Sequence, residues 1–182
     1  MLKLTEMPSE LQAVLEGVRG EEEDKIIRYI MKANKIFLSG AGRSGLICRM
    51  FAMRLMHMGF QAYVVGDVET PAAEDGDLLI IASGSGSTTV QIALAEKAKE
   101  FESHVLTFTY NKKGILAGIC HDAYVIPAPR FGIKELGVET QQPMGNLFEQ
   151  SLLLCMDHII IRLMEEKGTT SEEMMKLHAN LE

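Results

Sequence analysis

The stretch "DLLIIASGSGSTTVQIALAEKAKE", residues 77–100, decides how this chain folds: an apolar run breaks into alternating Ser and Gly, then resumes at helical spacing. A short run that is apolar on both faces suits a strand of a parallel sheet covered by helices. The same sequence of events, a short β-rich apolar run and then a longer helical stretch, recurs along the chain and marks a βαβ protein. Strands are expected at 35–40, 61–66, 77–84, 104–109 and 122–127, with helices at 45–58, 88–101 and 113–119 between them. Two helices, 9–18 and 21–33, lead in, the second opened by Glu21, Glu22 and Glu23 where the helix dipole favours negative charge. An irregular stretch holding Pro127, Pro129 and Pro143 leads to a long helix, 146–167, and a short last one, 171–178, with Ser171 expected as its N-cap.

No repeat, low-complexity tract or linker divides these elements, and 182 residues suffice for one good core but not for separate cofactor and substrate domains. The expectation is a single domain over residues 1–182: leading helices at 1–33, a parallel α/β core at 35–127, and C-terminal helices and tail at 143–182. Its class is α/β, a three-layer α/β/α sandwich with a five-stranded parallel sheet in the flavodoxin-like order 2-1-3-4-5. The formal net charge of -7, with scattered basic residues, argues against nucleic acid as a partner. Neither a signal peptide nor about 18 uncharged apolar residues in a row is present, so a soluble cytoplasmic protein without a membrane partner is expected. Cys48, Cys120 and Cys155 are odd in number and form no CxxC pair, which suggests neither a disulfide framework nor a metal site.

Two strands end in glycine-rich turns that each open a helix, "SGAGRSG" at 39–45 and "SGSGSTT" at 83–89. Glycine lets a ligand approach main-chain N–H groups, and the helix N-terminus adds unsatisfied donors and partial positive charge. In the order 2-1-3-4-5 the first and third strands are neighbours at the point where the winding reverses, so both turns face one crevice. Gly40, Gly42 and Gly45 spell the GxGxxG dinucleotide fingerprint, which also describes a tight strand-to-helix turn with no ligand. The second turn lacks the Lys of a P-loop. What fits it is one phosphomonoester, held by hydroxyls of Ser83, Ser85 and Thr88 and by N–H groups from Ser85 through Gly86 and Ser87 to Thr88. Gly42, Arg43 and Ser44 of the first turn would meet substrate hydroxyls or phosphate, the alternative for Arg43 being a surface salt bridge.

The pairing of "GAGRSG" with "SGSGST" resembles the SIS (sugar isomerase) domain family, whose hydroxyl-rich second loop holds the phosphate of a sugar phosphate. Together with "FAMRLMHMGF", "DLLIIASGSG", "PMGNLFEQS" and the closing "KLHANLE", it is similar over essentially the whole chain to the 6-phospho-3-hexuloisomerase branch. The sequence departs from that pattern at Ser87, where many members carry a charged residue. The resemblance implies interconversion of D-arabino-3-hexulose 6-phosphate and D-fructose 6-phosphate through a cis-enediol, in the ribulose monophosphate pathway. It also implies a homo-oligomer, a tetramer, and 3-hexulose-6-phosphate synthase as a partner. Such a reaction needs one base for both proton transfers and donors for the enediolate oxygens. It needs no redox cofactor, because the electrons stay in the substrate.

Glu149 stands near the start of a helix that is apolar around most of its circumference, at Met144, Leu147, Phe148, Leu152, Cys155, Met156, Ile159, Ile160, Leu163 and Met164. Spacing alone leaves it level between a dipole-complementing residue at an interface and a functional carboxylate; the resemblance implies the catalytic base. His178, five residues from the end, reads by position as a mobile surface residue. The resemblance makes it the second catalytic residue, helping with substrate oxygens or ring opening, if need be across a subunit boundary. His57, expected as a charged residue ending a helix, and His104, His121 and His158 are weaker candidates, and none has a metal-ligand partner at useful spacing. The twelve methionines read as adaptable core or interface packing. Three other readings stay open: a non-catalytic sugar-phosphate sensor, an isomerase of arabinose or heptose phosphates, and a nicotinamide-dependent oxidoreductase using Asp67 to hold a ribose.

Overall fold

The computed structural model describes residues 2–128 and 139–181. A 3-10 turn (Leu4–Glu6) runs into helices α1 (Met7–Leu15) and α2 (Gly20–Lys32). The core then alternates as β1 (Ile36–Gly40), α3 (Gly42–His57), β2 (Ala62–Val64), β3 (Leu78–Ala82), α4 (Thr89–Glu100), β4 (His104–Thr109), α5 (Ile115–Ile119) and β5 (Asp122–Val125). Helices α6 (Asn146–Lys167) and α7 (Ser171–Met175) follow. All five strands are parallel, in the order β2-β1-β3-β4-β5.

The period-2 geometry of a strand sends alternate side chains to opposite faces. Ile36, Leu38, Leu78, Ile80, Leu106, Phe108 and Tyr124 face a core closed by α1, α2, α3 and α6. Phe37, Leu79, Ile81 and Val105 face the other way, onto α4 and α5. The sheet is thus the middle of three layers, and every residue of β3 is buried. Asp77 anchors the sheet from below: its wholly buried carboxylate accepts from the N–H groups of Lys35 (3.0 Å) and Glu74 (2.8 Å), and Lys35 Nζ lies 3.4 Å away. A buried charge is tolerated when so paired.

Several boundaries differ from the sequence expectation. β2 keeps only three half-buried residues, as an edge strand covered by few neighbours does. Helix α1 starts at Met7, earlier than expected, because Pro8 in the first turn gives up an N–H that would have had no partner there. Helix α7 is capped by Thr170, not Ser171: its hydroxyl accepts from the Glu173 N–H (3.2 Å) and the Glu173 carboxylate returns to the Thr170 N–H (2.9 Å). Met144 lies outside α6, exposed and at φ +55°, not on its apolar face. Glu23, expected only as a charge at a helix start, is buried and binds His158 Nδ1 of α6 (2.8 Å), with Arg162 Nη1 at 3.5 Å. Pro129 lies outside the described residues.

Candidate functional site

β1 and β3 end level with each other, Gly40 beside Ala82, so the turns that follow them open side by side. An added Cβ on Gly45 would stand 2.4 Å from the Gly40 carbonyl oxygen, so the start of α3 is pressed directly onto the end of β1. Gly42, at φ +57°, already belongs to α3, and Arg43 and Ser44 sit on the helix's first turn where a loop was expected. The N-caps of α3, α4 and α6 are Ala41, Thr88 and Gly145, and none makes a side-chain capping bond. Three helix N-termini without side-chain caps, each with the partial positive charge of a helix start, therefore stand around this end of the sheet.

The second turn is held from outside by its carbonyls. The Gly84 carbonyl accepts from the Thr109 hydroxyl (2.8 Å) and the Tyr110 N–H (3.1 Å), the Ser85 carbonyl from Asn111 Nδ2 (3.1 Å), and the Gly86 carbonyl from the Leu116 N–H (2.9 Å). With its carbonyls so engaged, the turn directs hydroxyls elsewhere: Ser83 and Thr88 Oγ atoms lie 3.2 Å apart, and the Ser85 hydroxyl accepts from that of Ser87 at 3.0 Å. Ser83 is buried, Ser85 and Thr88 half-buried, and Ser87 exposed. Two of the four N–H groups expected to meet a ligand have protein partners, that of Gly86 in the Ser83 carbonyl (3.0 Å) and that of Ser87 in the Ser85 hydroxyl (3.3 Å). Gly86 serves the turn by its φ of +64°.

Helix α6 brings its first turn onto this loop. A Cβ on Gly84 would lie 3.1 Å from the Phe148 ring, which also meets the Tyr110 ring edge-on with centroids 5.7 Å apart. The next residue, Glu149, accepts through Oε2 from Arg43 Nε, while Arg43 Nη2 donates to Asn146 Oδ1 at 3.1 Å. Glu149, Arg43 and the hydroxyl turn thus belong to one end of the sheet. The Glu149 carboxylate is mostly sheltered, at 17% side-chain exposure, against 64% for Arg43.

His178 is not brought there within the chain. Its ring stacks on His57, the last residue of α3, with centroids 5.4 Å apart, and it lines a cavity of about 300 Å³ with Arg54, Ile160, Met164 and Met174. His57 stands fourteen positions further along α3 than Arg43, about 21 Å of rise. His57 itself is buried, and burial, reinforced by Arg54 and His178, lowers its pKa, so it is not the charged helix end expected. Asp67 is engaged by both terminal nitrogens of Arg49 (2.8 and 2.5 Å). Burial pushes the Cys48 and Cys120 thiols up to about 12 and that of Cys155 to about 11, so these cysteines are inert packing. Sequence reasoning missed Asn146 and Gln142, whose polarity just before and at a helix start was the available signal.

Among known proteins, the SIS domain family matches residues 29–154. The chain is 43% identical over 179 residues to the 3-hexulose-6-phosphate isomerase of Bacillus subtilis, covering 98% of this chain and 97% of that protein. It is 37% identical over 174 residues to the enzyme of the same name from Methylomonas aminofaciens, covering 96% and 95%. A crystal structure of a hypothetical protein from Methanococcus jannaschii, for which a molecular function of 3-hexulose-6-phosphate isomerase was inferred, superimposes with a TM-score of 0.81. It shares 36% identity and covers 90% of this chain and 87% of that one.

Proposed function

The chain belongs to the SIS domain family and, within it, to the 3-hexulose-6-phosphate isomerases, and from that premise we propose a residue-level account of its reaction. The enzyme interconverts D-arabino-3-hexulose 6-phosphate and D-fructose 6-phosphate. The observation that carries this reading is that α6 packs Phe148 on the hydroxyl turn and pairs the next residue, Glu149, with Arg43 in the first turn of α3.

Ser83, Ser85, Ser87 and Thr88, with the uncapped start of α4, hold the phosphate, and Arg43 and Ser44 meet the sugar oxygens above the end of β1. With the phosphate fixed at C6, the C2–C3 bond lies towards α6. Glu149 takes the proton from C3 of fructose 6-phosphate; the electron pair of that C–H bond becomes the C2–C3 double bond, and the C2 carbonyl oxygen gains a proton to give the enediol. Loss of the proton from the C3 hydroxyl and return of the carried proton to C2 give the 3-ketose. No electron leaves the sugar. Arg43 and the N–H groups of the helix starts offset the charge that develops on the enediolate oxygens, which is the larger part of such catalysis.

We assign His178 to this crevice from a second copy of the chain, which requires an oligomer, and the family resemblance makes that oligomer a tetramer. Exposed apolar residues along α3, Leu46, Met50 and Met53, and along α6, Leu154 and Ile161, support such association. Among the described residues no helix is long and apolar enough to cross a membrane. The cytoplasm is the proposed compartment, and 3-hexulose-6-phosphate synthase the proposed partner in sequence, as a source of the 3-ketose phosphate by carbon–carbon bond formation. The test is to incubate the purified protein with fructose 6-phosphate alone: appearance of the 3-ketose supports the reading, and turnover of arabinose 5-phosphate instead would redirect it to another isomerase.

A further inference from the structure

Asn146 of α6 is held on both sides, and the direction in which it is held has a source. Its Nδ2 donates to Gln142 Oε1 at 3.0 Å while its Oδ1 accepts from Arg43 Nη2 at 3.1 Å. Gln142 is buried, and its Nε2 donates to Glu10 Oε2 of α1 at 3.0 Å. The same Glu10 carboxylate also accepts from the Thr140 hydroxyl (2.7 Å) and the Gln141 N–H (3.3 Å). We propose that Gln142, with Glu10 behind it, is a positioning residue that orients the Arg43–Glu149 pair through Asn146, a proposal that rests on Glu149 being the base.

The chemistry of the groups fixes the direction of the chain of bonds. Burial raises the Glu10 carboxyl, but the bonds from Thr140, Gln142 and Gln141 outweigh it and hold the group below its usual range, so it is ionised. An ionised carboxylate only accepts. Gln142 must therefore turn its NH₂ towards Glu10 and its carbonyl towards Asn146, and Asn146 must answer with its NH₂ and present its own carbonyl to Arg43. A guanidinium has donors only, so this is the one orientation of Asn146 that Arg43 can use. With Nη2 engaged by Asn146, Nε is aimed at Glu149. Were the Asn146 amide turned over, NH₂ would face guanidinium and the arm would swing free. The polar chain thus joins α1, the segment before α6, α6 and α3, and none of its members but Arg43 was singled out by the hydroxyl turn or the glycine motif.

The experiment compares steady-state isomerisation and unfolding midpoints of the full chain and its Gln142→Met, Glu10→Gln and Asn146→Ala variants, singly and as the Gln142→Met/Asn146→Ala pair. Gln142→Met is expected to lower kcat roughly 10- to 100-fold, as a misplaced reacting group does, with KM within about two-fold because the phosphate is held by a separate turn. In the Asn146→Ala background the same change is expected to have less than about a two-fold further effect, since effects that act through one residue do not add. An unchanged kcat in Gln142→Met, or a full multiplicative effect in the Asn146→Ala background, overturns the proposal. Should Gln142→Met fail to fold, Glu10→Gln carries the test, because a neutral amide there no longer dictates the direction of the bonds; it must lower kcat at a near-unchanged midpoint. Failure of the base assignment shows separately, as activity surviving in Glu149→Gln.

Discussion

Arg43 and Glu149, 106 residues apart in sequence, meet where the first turn of α3 faces the first turn of α6. The pair is lopsided: the carboxylate is sheltered and the guanidinium largely in water. The exposed guanidinium can therefore meet a substrate oxygen through its remaining N–H groups while it keeps its bonds to Asn146 and Glu149.

Replacing Arg43 should be felt in turnover and not in stability. Arg43→Ala is expected to reduce kcat/KM roughly 10- to 100-fold, with Arg43→Lys intermediate, because lysine keeps the charge but not the fork that spans Asn146 and Glu149. Melting curves alongside the kinetics decide it: a midpoint lowered by many degrees with near-normal turnover would make the pair a structural clamp.

The hydroxyl turn should act through binding. Ser83→Ala and Thr88→Val remove the two facing hydroxyls and are expected to raise KM and weaken inorganic phosphate binding by calorimetry, each hydroxyl contributing about 0.5–1.5 kcal/mol. Exposed Ser87, where the family pattern is not kept, should matter less on substitution by Ala. Equal or larger effects on kcat at unchanged KM would place the phosphate elsewhere.

Gly45→Ala should damage the fold itself. Its Cβ would meet the Gly40 carbonyl oxygen, a backbone atom that no rotamer can move aside, at 2.4 Å, so the start of α3 must move off β1. An overpacking penalty of about 1–3 kcal/mol or more is expected in urea unfolding. At Gly118, where an added Cβ meets nothing, alanine should be tolerated.

Stability should fall in mild acid. Burial lowers the pKa of His104, helped by His121 and opposed by Asp122, and burial likewise lowers that of His57 from 6.5. Between the lowered folded value and the ordinary one the unfolded chain binds more protons, so stability is full above about pH 6.5 and is lost as pH falls through the folded value. Unfolding midpoints from pH 7.5 to 5.5 should decline, and less steeply in His104→Gln; an equal slope in the variant would assign the decline to other groups.

The sheet was legible because its central strands are apolar on both faces, as a parallel, covered sheet requires, because they alternate with helical stretches, and because the turns after β1 and β3 carry glycines, Gly45 where strand and helix touch. The hydroxyl turn was legible for the same local reason. What stayed hidden was long-range: Glu23 reaching His158, and Glu10 reaching Gln142, pair residues more than a hundred positions apart with no local pattern. Met144 was misplaced because a hydrophobic period at a helix start does not reveal that the chain turns through positive φ just before it. His178 was placed by family pattern alone, and the fold of a single chain puts it against His57 at the other end of α3.

The most direct measurement is proton exchange: fructose 6-phosphate in deuterated water, with the wild-type protein and with Glu149→Gln, followed by NMR. The account predicts deuterium entering at C3 with the wild-type protein and exchange slowed roughly 100- to 10,000-fold in Glu149→Gln, as loss of a general base should do. Exchange at C1 in place of C3, or exchange at C3 that survives in Glu149→Gln, would contradict it.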